Sequence, residues 1–166
     1  RSLNIVERSG RHLLQLINNL LETAKIESGK VELQVREVSI PKLCEDSLVY
    51  VQQQALQKHI VLNSRIQEEA KNLTGDELRL KQALVNLLDN AIKFTPQGGE
   101  VSVDVQQNSI ETTFIVSDTG VGSSKDIRKK LFRIEEKIST NGTNNEMGTG
   151  LGLLLCKEFT EKHQGT

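Results

Sequence analysis

Three short runs in this sequence combine residue types suited to holding a phosphorylated ligand. In the first, Asn86, Asn90 and Lys93 recur at spacings of four and three. At about 100° per residue they fall within about 60° of one another on one side of a helix. Helix interiors disfavour Asn, because its amide competes for backbone partners. Two of them one turn apart, followed by a cation, gather amide oxygens and an ammonium on one face, a set that suits Mg2+ bound to phosphates. Taken alone, the same pattern also fits a solvated polar face. The second run is Asp118-Thr119-Gly120-Val121-Gly122, directly after an alternating apolar stretch. An Asp at a strand end can accept from an exocyclic amine, and two close glycines let backbone approach a planar ligand. A turn with a capping residue fits the same letters. The third is Gly148-Thr149-Gly150-Leu151-Gly152-Leu153, leading into an apolar helical pattern. Glycines at a helix mouth expose N–H donors and the positive end of the dipole to an anion. The G-x-G-x-G spacing, without a strand just before it, is not the dinucleotide fingerprint, and no G-x-x-x-x-G-K-[ST] occurs.

The elements that must position these runs are legible from periodicity. Leu3, Val6, Gly10, Leu13, Ile17, Leu20 and Ala24 alternate spacings of three and four, with Leu14 and Leu21 in a second stripe beside them. This predicts a helix of roughly 25 residues, about 38 Å long, that needs partner helices to bury both stripes. A long helix folded back on the following domain is the alternative, and Gly29 is the expected stop. Val31, Leu33 and Val35 then alternate with polar residues and predict a half-buried strand. Ser39 and Pro41 open a helix through about Leu56, and Ile60 to Ile66 reads as a strand. Thr74 with Glu77 three residues later predicts a capping box for a helix running to about Phe94, with Leu80, Leu84, Leu87, Leu88 and Ala91 on its apolar face. Glu100–Val105 and Thr112–Val116, joined through Gln107-Asn108-Ser109, predict a hairpin. A basic helical stretch with Lys125, Arg128, Lys129 and Lys130 leads into an aperiodic Asn- and Thr-rich loop, Ser139 to Glu146. A last helix is expected from about Thr149 to His163.

Composition narrows the function class. The chain has 166 residues, 21 basic against 22 acidic side chains, and a formal net charge of −1. That balance supplies no global field for nucleic acid or an anionic membrane. Aromatic residues make up 3%, with no Trp, so the core must be built from Leu, Ile and Val, and a surface that stacks several bases is excluded. No run approaches the roughly 18–20 apolar residues of a membrane span, and the chain is expected to be soluble. Cys44 and Cys156 are isolated in sequence and are expected to be reduced core thiols. Eight of the 12 glycines lie between Gly98 and Gly152, which concentrates backbone permissiveness around the second and third runs.

A paired-Asn helix, a D-x-G-x-G turn and a G-x-G-x-G helix mouth, in this order and separated by a strand pair and a polar loop, resemble the catalytic ATP-binding domain of sensor histidine kinases, within the GHKL ATPase and kinase superfamily. Asn86 to Lys93 resembles that family's N box, Asp118 to Gly122 its first glycine box, Gly148 to Gly152 its second, and Leu131-Phe132 the start of its F box. Leu3 to Glu27 resembles the second helix of the dimerisation and phosphotransfer hairpin. The resemblance implies an α/β sandwich of the Bergerat type, a mixed sheet with helices packed on one face, preceded by one long bundle helix. Residues 1–28 would be the partial hairpin domain and 29–166 the catalytic domain. It implies ATP and Mg2+ as cofactors, Asp118 on the adenine amino group, Asn90 on Mg2+, Asn86 and Lys93 on the phosphates, and Phe94 beside the ribose. Gly120 and Gly122 would shape the adenine loop. Gly148, Thr149, Gly150, Leu151 and Gly152 would surround the phosphates, with Ser139 to Met147 as a lid.

The implied activity is that of a histidine protein kinase in a two-component system, passing the γ-phosphoryl group to a His outside these residues. The family's acceptor motif, a His followed by an acid and then a Pro, does not occur here. His12, followed by Leu13, matches a position without a catalytic role, and His59 and His163 lie at element ends. In related ATPases a Glu acting as general base stands where Asn86 is, so an amide favours transfer over hydrolysis. Ser123, Ile138 and Thr140 depart from the family pattern around the lid. Implied partners are a second copy through the N-terminal helix, the chain's own hairpin and a response regulator, with no nucleic acid and no direct membrane contact, in a cytoplasmic location. The family domain usually adds two further strands after a position like Thr166. The rival readings are an ATPase of the same superfamily and a nucleotide-sensing or dimerisation module without catalysis.

Overall fold

A computed structural model describes residues 10, 13, 14, 17, 18, 21, 24, 32–131, 142–144, 146 and 150–166. The chain divides into two compact units, Arg1–Glu32 and Leu33–Thr166. In the first, the described positions from 10 to 24 are helical, and Leu13, Leu14, Ile17 and Leu21 are each 46–60% exposed. The seam residues Leu3, Val6 and Leu20, the stop at Gly29, His12, Phe132, Ile138, Thr140, Gly148 and Thr149, and most of the expected lid lie outside the described residues.

The second unit is a mixed α/β sandwich with its helices on one face of the sheet, as expected. Its elements run β1 (Arg36–Ser39), α1 (Ile40–Gln57), β2 (Val61–Ile66), β3 (Asn72–Gly75), α2 (Glu77–Phe94), β4 (Glu100–Gln107), β5 (Thr112–Asp118), α3 (Lys125–Lys130) and α4 (Gly152–Lys162). One sheet has the order β2-β4-β5, with β2 parallel and β5 antiparallel to β4; a separate antiparallel pair joins β1 to β3. Val101, Val103 and Val105 of β4 point to one face and are at most 1% exposed. Against them pack Ile40, Cys44, Val51 and Ala55 of α1 and Leu84, Leu88, Ala91 and Ile92 of α2. Each of the larger side chains contributes about 1.5–3 kcal/mol by leaving water. On the opposite face β4 is polar, with Arg65 Nε 3.1 Å from Asp104 Oδ1, and Val61 and Ile115 beside it are exposed. Helix α4 buries Leu154, Leu155 and Phe159, and Arg79 of α2 stacks 5.2 Å from the Phe159 ring centroid. Both cysteines are free and buried, and burial pushes Cys44 up to about 11 and Cys156 to about 12.

Three local expectations need correction. The strand expected at Val31 to Val35 is formed instead by Arg36–Ser39, because its partner β3 pairs only from Arg36↔Gly75 to Ser39↔Asn72. Val35 is left 56% exposed. The polar strand β3 itself has no apolar alternation to announce it. Thr74 belongs to that strand, so the Thr74–Glu77 capping box does not form. Asp76 caps α2, its Oδ1 accepting from Arg79 N at 3.1 Å. The last helix begins at Gly152, one residue after its N-cap Leu151, and not at Thr149.

Candidate functional site

Helix α2 is the spine of the site, and its two ends are held differently. At the N-terminus Asp76 is 6% exposed and joins three segments: besides Arg79 N, its Oδ2 accepts from Gln34 N at 2.9 Å, and its own N–H donates to His163 Nε2 at 2.9 Å. Since Nε2 accepts, Nδ1 carries the proton and donates to Phe159 O at 2.6 Å. His163 is thus a clamp between α4 and α2, a role that no sequence signal suggested.

At the C-terminus, the last carbonyls of any α-helix lack partners within it. Here they are taken by other segments. Lys58 Nζ, on a side chain only 6% exposed, donates to Ile92 O at 2.8 Å and Lys93 O at 3.1 Å. Thr143 donates to Lys93 O through its N–H at 3.0 Å and its Oγ1 at 3.2 Å, and Oγ1 also lies 3.1 Å from Thr95 O. Val121 N donates to Phe94 O at 3.1 Å. Thr95 is fully buried and returns its hydroxyl to Ala91 O at 2.6 Å. One helix end therefore anchors the Asp118–Gly122 loop and, through Thr143 and Lys58, the described residues Gly142, Thr143 and Glu146 together.

The expected site residues distribute around this spine. Asn86, Asn90, Lys93 and Phe94 are all half-buried, while Leu84, Leu88, Ala91 and Ile92 form the buried side. Leu80 and Leu87, expected on the apolar face, are half-buried. Asn86 Nδ2 donates to Gly152 O at 3.3 Å, which brings the paired-Asn helix to the mouth of α4. The Cys156 thiol donates to Ala83 O at 3.3 Å. Lys93 Nζ lies 4.7 Å from the Phe94 ring centroid. Burial lowers the Lys93 ammonium below its ordinary value, and the Glu146 charge partly opposes this.

Asp118 is exposed at the end of β5, and its Oδ1 accepts from Gly120 N at 2.8 Å. Gly120 is required for packing as much as for ligand approach, because an added Cβ would lie 2.5 Å from Asp118 Oδ1 and 2.6 Å from Phe94 O. Gly122 is different: it has φ +67° and open space around it, so backbone conformation is what excludes a side chain. Gly150 shares that conformation at φ +69°, Leu151 is buried, and Gly152 approaches Asn86 at ordinary contact distance. Gly148 and Thr149 lie outside the described residues. Among the described residues, no group of three or more His, Cys, Asp or Glu side chains could hold a metal ion. Asn90, half-buried on α2, carries an amide oxygen of the hard-donor kind that suits a divalent cation.

Two groups escaped sequence reasoning. Lys58 sits at the end of α1, where nothing in the flanking residues distinguishes it from a solvated cation. Asp89 lies between the paired asparagines but faces α1, where Gln54 hydrogen-bonds it and its Oδ1 is buried with no hydrogen-bond partner among the described residues. Burial pushes its carboxyl up to about 6, with the Gln54 bond opposing the rise.

Residues 75–166 match the family described as histidine kinase-, DNA gyrase B- and HSP90-like ATPase. The circadian input-output histidine kinase CikA of Synechococcus elongatus is 37% identical over 162 residues, covering 96% of this chain. The chain spans only 22% of the length of that relative. The crystal structure of full-length ShkA in complex with AMPPNP is similar at 30% identity and TM-score 0.77, over 93% of this chain and 32% of that one. The structure of histidine kinase ThkA with response regulator protein TrrA shares the fold, at 21% identity and TM-score 0.72, over 98% of this chain and 44% of that one.

Proposed function

Because the chain belongs to the histidine kinase-, DNA gyrase B- and HSP90-like ATPase family, we propose that it is the ATP-binding catalytic part of a two-component sensor histidine kinase. One observation carries this reading most: α2 ties together both glycine-bearing segments, through Val121 N to Phe94 O at 3.1 Å and Asn86 Nδ2 to Gly152 O at 3.3 Å. Asp118 and the α4 mouth thereby lie against one helix, which itself carries Asn86, Lys93 and Phe94.

In this reading Asp118 accepts from the adenine amino group while Gly120 and Gly122 hold the loop against α2. Phe94 lies beside the ribose. Lys93 and Asn86 face the phosphates, Asn90 holds Mg2+ through its amide oxygen, and Gly148, Thr149, Gly150, Leu151 and Gly152 surround the phosphate end. Bound ATP supplies the γ-phosphoryl group and Mg2+ neutralises phosphate charge. The protein positions and compensates charge, which is what phosphoryl transfer chiefly needs. Asn86 offers an amide, already engaged with Gly152 O, and no carboxylate that could activate water, so the site favours holding ATP for a His nucleophile over hydrolysis. That His lies outside these residues, in the hairpin of which residues 1–28 would be the second helix. Leu13, Ile17 and Leu21 would then meet a second copy, and a response-regulator Asp would take the phosphoryl group onward. Among the described residues, no helix is long and apolar enough to cross a membrane.

Calorimetric titration of ATP with and without Mg2+ tests the reading. Asp118→Ala is expected to abolish measurable binding while leaving the circular-dichroism spectrum unchanged. Unaltered affinity in that variant would sink the adenine assignment.

A further inference from the structure

Lys58 is the least expected group near the site. Its Nζ has four acceptors: Ile92 O and Lys93 O at the end of α2, Thr143 Oγ1 at 2.7 Å and Glu146 Oε1 at 2.9 Å. An ammonium has three N–H donors, so no capacity is left over. Its position also places a positive charge at the negative end of the α2 dipole. Glu146 is fixed from its other oxygen, Oε2, which accepts from Asn144 N at 2.7 Å, while its backbone O accepts from Gly142 N at 2.9 Å. Gly142 in turn sits so close to Lys93 that an added Cβ would lie 2.5 Å from Lys93 Cγ. Burial by itself would raise the Glu146 carboxyl. The hydrogen bond and charge of Lys58, with backbone N–H donors, outweigh it and hold the carboxyl below its ordinary value. An ionised carboxylate is therefore held within electrostatic reach of Lys93.

A carboxylate there would repel the phosphates that Lys93 is placed to receive. We infer that Lys58 is a positioning residue that neutralises Glu146 and docks the Gly142–Glu146 stretch on the end of α2, so that the field at Lys93 favours a polyanionic nucleotide. Lys58 itself touches no ligand in this scheme. The inference rests on the nucleotide reading above and adds to it a prediction about charge: the Lys58–Glu146 pair governs how strongly the phosphates, and not the nucleoside, contribute to binding.

The experiment is the ratio of ATP to adenosine affinity, measured by calorimetry with Mg2+ at low ionic strength, in this chain and three variants. Lys58→Met leaves Glu146 uncompensated and is expected to lower the ratio about tenfold, the order for one unit charge beside a multiply charged ligand in a partly buried site. Glu146→Gln leaves Lys58 in excess and is expected to raise it. The double variant is expected to return to near the starting ratio, and Lys58→Arg to preserve it. A merely structural Lys58 would weaken ATP and adenosine alike, and the second substitution would not restore binding; that result overturns the inference. Should Lys58→Met fail to fold, Glu146→Gln carries the test, and an unchanged or lowered ratio there overturns it. Absence of ATP binding in the unsubstituted chain overturns the nucleotide reading as well, whereas binding with one ratio across all variants overturns this inference alone.

Discussion

Replacing Asp89 with Asn removes a charge from the interface between α1 and α2 while keeping the side chain's shape and an oxygen for Gln54. The Asp89 carboxyl has its pKa raised by burial from an ordinary 3.8 to about 6, with Gln54 opposing. A raised value means that the folded protein binds this proton more tightly than the unfolded chain does. The group's contribution to stability is therefore intact below about pH 4 and is lost as pH rises through 6. The interval from 3.8 to about 6, at about 1.36 kcal/mol per pH unit, corresponds to about 3 kcal/mol as an upper figure. About 2.5 kcal/mol of this should develop between pH 4 and pH 7.5. Glu146, held below its ordinary value, contributes in the opposite sense. The informative quantity is thus the difference between Asp89→Asn and the unsubstituted chain, read by urea unfolding at both pH values. We expect the variant to gain about 2–2.5 kcal/mol, relative to the unsubstituted chain, on going from pH 4 to pH 7.5. A constant offset from amide packing cancels in this comparison. A difference that is flat with pH, or that runs the other way, would refute the claim that Asp89 is ionised at a cost in the folded protein.

Two further expectations test the frame around the site. Asp76→Ala removes the cap on Arg79 N and the acceptor for Gln34 N, and should destabilise the chain by about 1–3 kcal/mol in urea unfolding; a loss under 0.3 kcal/mol would contradict its role as a junction. Ile17→Lys places a charge among Leu13, Leu14 and Leu21 and should weaken self-association in sedimentation velocity, whereas an unchanged profile would count against the bundle reading of residues 1–28.

The parts of the fold legible in the sequence are those fixed by burial. The spacing of Leu84, Leu88 and Ala91 outlines α2, and alternation in Glu100–Val105 outlines β4, because each element has one face against the core. What escaped was set by pairing between distant segments. Polar β3 exists because Asn72–Gly75 lies beside Arg36–Ser39, and that pairing takes Thr74 from the cap it otherwise suits. The candidate site was legible as residue types: paired Asn, Asp before Gly, and Gly at a helix mouth. Its supports were not. Lys58 and Glu146 are 88 residues apart, and His163 and Asp76 are 87 apart. Nothing local marks such residues, since a buried ammonium and a surface one look the same until the chain is folded.

The carbonyl acceptors at the end of α2 have a consequence for how this protein tolerates change. Ala91 O, Ile92 O, Lys93 O and Phe94 O are main-chain atoms, present whatever side chain each residue carries. Drift at these positions therefore cannot delete the anchorage of the two loops, though it can alter what Lys93 and Phe94 do as side chains. Within these positions, variation that reaches the anchorage has to change the path of the helix itself, by a proline or an inserted residue in the last turn, whereas the side-chain donors Lys58 and Thr143 can be lost by substitution. Single-residue replacements and one-residue insertions across 91–95 should accordingly differ sharply in how they are tolerated.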